Sequence, residues 1–399
     1  LNAAADNSTV SFVTTASTFN ALDVNADDRI SVGVNISTDT GNLSLDGDVD
    51  NSADANDDVT FTAGLTLASA GSITLDATNG NMSGAGALTL NANNGVTLND
   101  SLTTAGATVV DADDDTNGSG TFTIAASRTL STTNNALQII ANKIALSGAL
   151  NSGTQSTTLT PTNSAAVDIG SATDAAGNTV ELSAAELQSI TAASLTIGDA
   201  TAGAITVSAD VSPGSTGGTG VTTLNLVSGS TVTATAGGIG ETNLSVTAAG
   251  TVTFSAAATN IATLGVDTST GNISFTDADG FTVGTVGSVT GVDTAAGSVS
   301  LTATTGNIVV SNTAAANDIG ATTGIALSAA ADNASIAIQA GADAEAISGA
   351  HSYTADDIEI TGTITATGQT VTLASTTAGD AVDVGDPGGG GDNVADTLE

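Results

Sequence analysis

The stretch "TSTGNISFTDADGFTVGTV", Thr268 to Val286, holds two short apolar alternations, Ile273/Phe275 and Phe281/Val283. Between them lies a turn carrying Asp277, Asp279 and Gly280. Apolar residues at every second position over so short a run mark half-buried strands. The turn has two readings. Its carboxylates beside a glycine could form a cation-binding or catalytic loop, or they could simply bend the chain between strands. The corner is the expected reading, because the same pattern continues on both sides.

Working outward, apolar–x–apolar triplets recur in pairs. Leu65/Leu67 is followed by Ile73/Leu75, and Leu88/Leu90 by Val96/Leu98. Leu244/Val246 precedes Val252/Phe254, Leu264/Val266 precedes Ile273/Phe275, and Val299/Leu301 precedes Ile308/Val310. Several second strands follow a glycine corner: "AGSITL", "AGTVTF", "TGNISF", "AGSVSL" and "TGNIVV". Glycine accepts positive φ there, and asparagine beside it tolerates the same region. The apolar residue two after each glycine is expected to point inward.

A repeat of about 20–28 residues is the signature of a solenoid. One such coil buries only six or seven small apolar side chains, worth about 2 kcal/mol each. Ordering its backbone costs about 1–2 kcal/mol per residue, so a coil cannot fold alone and must stack on others. The expectation is an all-β protein, a parallel β-helix of roughly 15–19 coils rising about 4.8 Å each. The rival architecture is a string of antiparallel sandwiches, for which the Asn-Gly pairs at 79, 94 and 117 would suit as hairpins. The absence of Trp, a single Tyr and the short repeat favour the solenoid.

Composition narrows the function. The 399 residues include 41 acidic and three basic ones, Arg29, Arg128 and Lys143, for a net charge of −38. That excludes nucleic acid as a partner and disfavours anionic lipid surfaces. No apolar run reaches a membrane span. The opening "LNAAADNSTVSF" has neither the basic nor the apolar region of a signal peptide, so an exported chain is expected to be a mature or excised piece of a longer one. Three segments are expected: 1–34, a partial cap or the continuation of a longer rod; 35–384, the shaft; and 385–399, a Gly-rich acidic tail after Pro387. Within the shaft, "ELSAAELQSI" (181–190) breaks the rhythm with a capping box, Ser183 and Glu186.

The passages "ELSAAELQSITAASLTIGDATAGAITVSADVS" and "AGALTLNANNGVTLND" resemble the internal repeats of filamentous-haemagglutinin-like bacterial surface exoproteins. The resemblance covers most of residues 35–375. It implies a right-handed β-helical shaft, an extracellular or cell-surface location, and adhesive or structural work on a host or neighbouring-cell surface. The Asn-Pro motifs of that family's secretion domain are not present; the three prolines follow Thr160, Ser212 and Asp386.

Candidate site residues are few. Alternating Asp/Asn oxygens suit Ca²⁺, the one cofactor the pattern suggests and not one the fold requires. Asp111, Asp113 and Asp115 are the best set, and Asp23, Asn25 and Asp27 a weaker one, since an acidic ligand is missing at the twelfth position, Val34. The competing reading is that these runs are solvated corners. Catalysis is not expected: paired carboxylates could cleave glycans, but the basic residues are scattered and the only histidine, His351, reads as a surface or corner residue. Eight aromatics offer few platforms for sugars. The "TVT" triplets at Thr231 and Thr251 should stack on an outward face as ordinary β-favouring residues. The reading is therefore a structural or adhesive filament protein without chemistry, self-associating end to end through its unpaired edges. The alternatives are a β-helical glycan-cleaving enzyme and a Ca²⁺-dependent surface-layer-type scaffold.

Overall fold

The computed structural model describes residues 1–53, 56–171, 177–212, 220–313 and 315–377, together with a strand pair at Ala381–Val382 and Thr397–Leu398. The expected end of the shaft near Val384, and most of the 385–399 tail, lie outside the described residues. The chain forms two compact units. One comprises Leu1–Gly198 with Pro213–Thr222, the other Asp199–Ser212 with Thr223–Glu399. Each is a stack of parallel strands, and their turns total about 16. The protein is a β-solenoid.

In the first unit each turn contributes one strand to each of three sheets. Leu22–Ala26, Arg29–Val32 and Ile36–Thr38 make one turn; Leu43–Asp46, Asp58–Phe61 and Leu65–Ser69 the next; Ile73–Asp76, Met82–Gly84 and Leu88–Ala92 the one after. The register joins like to like. Leu65 pairs with Leu88, Ile73 with Val96, and Met82 with Leu102. The turn beginning at Ile73 buries Ile73, Leu75, Ala77, Met82, Leu88, Leu90 and Ala92, matching the small apolar complement that a narrow bore accepts. Winding starts at once: Asn2 pairs with Asn25 and Thr9 with Arg29, so residues 1–34 already lie in the stack.

The 181–190 segment holds the one helix among the described residues, Ala184–Gln188, capped by Ser183 with Glu186 closing the box. Glu186 Oε1 also accepts the Leu146 N–H at 2.9 Å, and Leu187 is buried, so the helix is fastened to the turn before it.

In the second unit the paired triplets again stack: Leu244 on Leu264, Val252 on Ile273, Phe254 on Phe275. One assignment shifts by a strand. Val299/Leu301 lies on Ile273/Phe275, and Ile308/Val310 on Phe281/Val283. The reason is an insertion the alternation hid. The nine-residue strand Asn260–Thr268 is answered in the next turn by two strands, Phe281–Val283 and Val292–Thr294. Between them Thr285–Val286 and Val289–Thr290 form an antiparallel hairpin with Gly287 at φ +61°. It folds back over the outer surface, where a Cβ on Gly265 would sit 3.2 Å from Val289 Cγ1.

The corner glycines are needed, mostly for another reason than expected. Of the five, only Gly271 has positive φ. A Cβ on Gly297 or Gly306 would lie 2.0 Å from a carbonyl oxygen of the neighbouring turn, so glycine admits close stacking there. The adjacent asparagines tie turns together: Asn42, Asn272 and Asn307 accept the backbone N–H of Ser72, Ser298 and Ser335 at 2.8–3.0 Å. The residue two after each glycine (Ile73, Val252, Ile273, Val299, Ile308) is buried as the pattern requires.

Candidate functional site: corner carboxylates and outer faces

At each corner the ladder of strand hydrogen bonds is interrupted, and backbone N–H groups need another acceptor. The "DADG" turn shows the solution. Asp277 is fully buried. Its Oδ1 accepts the N–H of Asp279 (3.1 Å) and Gly280 (3.0 Å), and its Oδ2 accepts that of Ile261 one turn back (3.0 Å). Burial pushes its carboxyl up to about 7 against these bonds, which favour the charged form. This carboxylate shapes a corner and ties it to its neighbour.

The device recurs. Asp27 accepts the N–H of Asn7 (2.7 Å), a residue at φ +60° in the preceding turn. Asp48 Oδ2 accepts both the backbone and side-chain nitrogens of Asn79, at 2.8 and 2.9 Å. Asp318 holds the N–H and hydroxyl of Thr313 at 2.6 Å, and exchanges bonds with Asp343: each accepts the other's N–H. Asp356 accepts the N–H of Asn333 at 2.7 Å and the hydroxyl of Thr376; these bonds hold its carboxyl below the usual range. The acidic corners are therefore not uniformly solvated. Asp27, Asp48, Asp57, Asp113, Asp277 and Asp318 are all buried.

The two proposed cation sets fit into this scheme individually. Asp111 accepts the N–H of Asp113, and burial raises its carboxyl. Asp113 is buried and accepts the Gly118 N–H (3.1 Å) and the Thr162 hydroxyl, while its Oδ1 meets no protein donor. Asp115 lies exposed and binds Asn117. In the weaker set, Asn25 donates to Asp23 at 3.2 Å, while Asp27 turns to Asn7. The structure does not bring either set together; among the described residues no three acidic or histidine side chains converge to hold a metal ion.

His351 departs from its expected surface place. The strand His351–Thr354 stacks on Gly324–Ala329, with His351 paired to Ile325 and Tyr353 to Leu327. That register turns both rings into the bore, where His351 Nδ1 and Tyr353 Oη bond at 2.7 Å. Burial lowers the imidazole's pKa and raises the phenol's. Two of the basic residues are engaged with acids: Arg29 with Asp58 at 3.2 Å, Arg128 with Asp100 at 3.0 Å.

Alternation could not reveal these residues, because an inward Asp or His looks like an interruption. The available signal was position: each of Asp48, Asp113 and Asp277 follows an apolar triplet by one to three residues.

The outer surfaces carry little for a ligand to grip. Seven of the eight aromatics are buried, and Phe19, half-buried, stacks edge-on against Phe12 at 6.4 Å. A shallow depression of about 240 Å³ on the first unit is lined by small residues such as Ser17, Asn35, Ser37 and Thr66, without a titratable or aromatic group. No helix among the described residues is long and apolar enough to cross a membrane.

Fold and corners together define a β-solenoid repeat protein. No family model matches the chain, and neither a curated protein nor a solved structure matches it.

Proposed function

We propose that this chain is the shaft of an extracellular structural or adhesive protein, of the filamentous-haemagglutinin-like kind, with no chemistry of its own. One observation carries the reading: the polar groups best placed for chemistry are engaged in holding turns together. Buried aspartates from Asp27 to Asp356 accept backbone N–H groups of adjacent turns, and the only histidine is bonded to the only tyrosine inside the bore.

Open strand edges in each unit support self-association. Among the described residues, Asn2–Ala3, Thr9–Phe12 and Ser17–Phe19 of the first unit each pair on one side only, as does Val371–Ala374 of the second, where Val371 is 42% exposed. Unpaired parallel edges template further strands, so each such edge can take up a strand of another copy.

The test offers the purified protein to cultured cells and to acidic polysaccharides. Saturable cell binding or filament formation, without release of unsaturated or reducing sugar ends, is the expected result. Polysaccharide cleavage that survives repurification would replace this reading with the enzymatic one.

A further inference from the structure

The three Asn-Gly pairs, at 79, 94 and 117, form no hairpins; each turns a corner between strands of different sheets. In such a pair the glycine nitrogen reaches the asparagine's own side-chain carbonyl with the least hindrance. What that nitrogen is bonded to differs among the three. The Gly80 N–H donates to the carbonyl of Ala77 at 2.8 Å, and that of buried Gly95 to the carbonyl of Ala112 at 2.9 Å. The Gly118 N–H instead donates to a carboxylate, Asp113 Oδ2, at 3.1 Å. Asp113 is fully buried, and its other oxygen meets no protein donor. The side-chain amide of Asn117 is held at both its atoms. The Ser119 hydroxyl donates to Asn117 Oδ1, a shorter contact than its 3.2 Å approach to Asn94 Oδ1. Asn117 Nδ2 donates to Asp115 Oδ2 at 2.7 Å. Asn117 itself is exposed, so water reaches it.

We propose that Asn117-Gly118 is a self-modification site, where the folded chain converts this asparagine through a succinimide into aspartate and isoaspartate. The Gly118 nitrogen attacks Asn117 Cγ and forms the N–C bond, while its proton passes to Asp113 Oδ2. The carbonyl electron pair moves onto Oδ1, where the Ser119 hydroxyl stabilises the negative charge. Collapse restores the C=O and breaks the Cγ–Nδ2 bond. The proton taken by Asp113 is handed on through solvent to Nδ2, which leaves as ammonia. Water then adds to one imide carbonyl or the other and opens the ring to aspartate or isoaspartate. In sum, an amide and water become a carboxylate and ammonium, with no oxidant, reductant or cofactor.

Two features of the fold favour this pair over the others. The reacting atoms are neighbours in the chain, and the base and the hydroxyl donor already touch them, so little ordering remains to be done. Glycine is also required here by the fold itself: Gly118 has φ +82°, and a Cβ would meet Asn163 Nδ2 at 3.0 Å. At 79 and 94 the glycine N–H must first leave a backbone carbonyl. That bond closes the local turn at Gly80 and fastens one turn of the solenoid to the next at Gly95. The products differ in consequence. Aspartate adds a charge beside Asp113, Asp114 and Asp115, whereas isoaspartate lengthens the main chain by one carbon in the loop that Asp113 holds. The inference does not depend on what the outer surface binds.

The experiment incubates the whole chain at neutral pH for days, folded and in concentrated urea. Each Asn-Gly pair is followed by mass spectrometry with fragmentation, and isoaspartate is assayed separately. In the folded chain Asn117 is expected to convert about tenfold or more faster than Asn79 and Asn94, and no slower than in urea, where the three sites converge. Ser119→Ala, at an exposed position, should slow Asn117 by about threefold or more with the melting curve unchanged. Asp113→Asn should slow it further; because Asp113 also shapes the corner, the Ser119 variant decides the matter if that one does not fold. The proposal is overturned if folded Asn117 converts no faster than the other two sites, or more slowly than in urea. An unchanged rate in Ser119→Ala overturns it equally.

Discussion

Replacing Asp277 tests the corner device where one buried carboxylate accepts three backbone N–H groups. In Asp277→Ala the N–H groups of Ile261 and Asp279 lose their acceptor, while that of Gly280 keeps Asp279 Oδ1 at 2.7 Å. The Ile261 N–H is buried, and stranding it costs about 1–3 kcal/mol. That of Asp279 reaches water more easily, adding about 0.5 kcal/mol. The sum is about 1.5–3.5 kcal/mol, partly offset at high pH because the carboxylate's own burial is unfavourable. Asp277→Asn keeps one oxygen for the Asp279 and Gly280 amides but turns an NH₂ toward Ile261, so it should cost about half as much. A solenoid can open locally, so the assay is amide hydrogen exchange, with thermal melting alongside. Loss of 2 kcal/mol speeds exchange at Ile261 roughly thirtyfold. Unchanged protection there, with an unchanged melting temperature in Asp277→Ala, would refute the corner role.

Acidification from pH 8 to about 5 should raise the melting temperature. Burial lifts Asp277 and Glu241 to about 7 in the folded state, above ordinary values of 3.8 and 4.5, and raises Asp46, Asp100, Asp111, Asp293 and Asp357 as well. The folded state then binds more protons than the unfolded one in that window, and stability is lost as pH rises through 7. His351 works the other way below about 6.5, since its folded pKa is lowered; a melting temperature that falls steadily from pH 8 to 5 contradicts the scheme. Tyr353→Phe removes the hydroxyl that meets His351 Nδ1 at 2.7 Å in the bore and should cost about 1–3 kcal/mol, read from denaturant melts; a neutral effect would mean the pair contributes nothing. Gly297→Ala forces a methyl against the Gly271 carbonyl oxygen and should destabilise by more than about 1 kcal/mol, whereas Gly64→Val, with open space around it, strains only its own φ of +74°. Millimolar Ca²⁺ and Mg²⁺ should raise the melting temperature alike by screening; a selective response to Ca²⁺, lost in Asp113→Asn, would instead assign a built site to the 111–115 loop.

Much of the fold was legible in the sequence because a solenoid repeats its physics. Leu65 and Leu88, or Val252 and Ile273, announce one another through spacing alone. The face each strand joins was less legible, since apolar alternation reads the same on every sheet. Hence Val299/Leu301 fell one strand out of phase once the Thr285–Thr290 hairpin had added residues without adding a turn. The corner chemistry was hidden for a different reason. Asp48 and Asp113 look like surface acids until the loop of an adjacent turn is laid over them, and no local pattern reports that loop. His351 and Tyr353 occupy inward positions whose neighbours, Ile325 and Leu327, lie 26 residues earlier.

Parallel turns lying in register define this fold, and the absence of cysteine makes the register directly measurable. Thr74 and Thr97 are outward-facing partners on adjacent strands, and Thr123 is the next in line. With strands about 4.8 Å apart, Thr74→Cys/Thr97→Cys should close a disulfide readily under mild oxidation, while Thr74→Cys/Thr123→Cys, roughly 10 Å apart, should not. A bond in the second pair, or none in the first, would contradict the stacked solenoid.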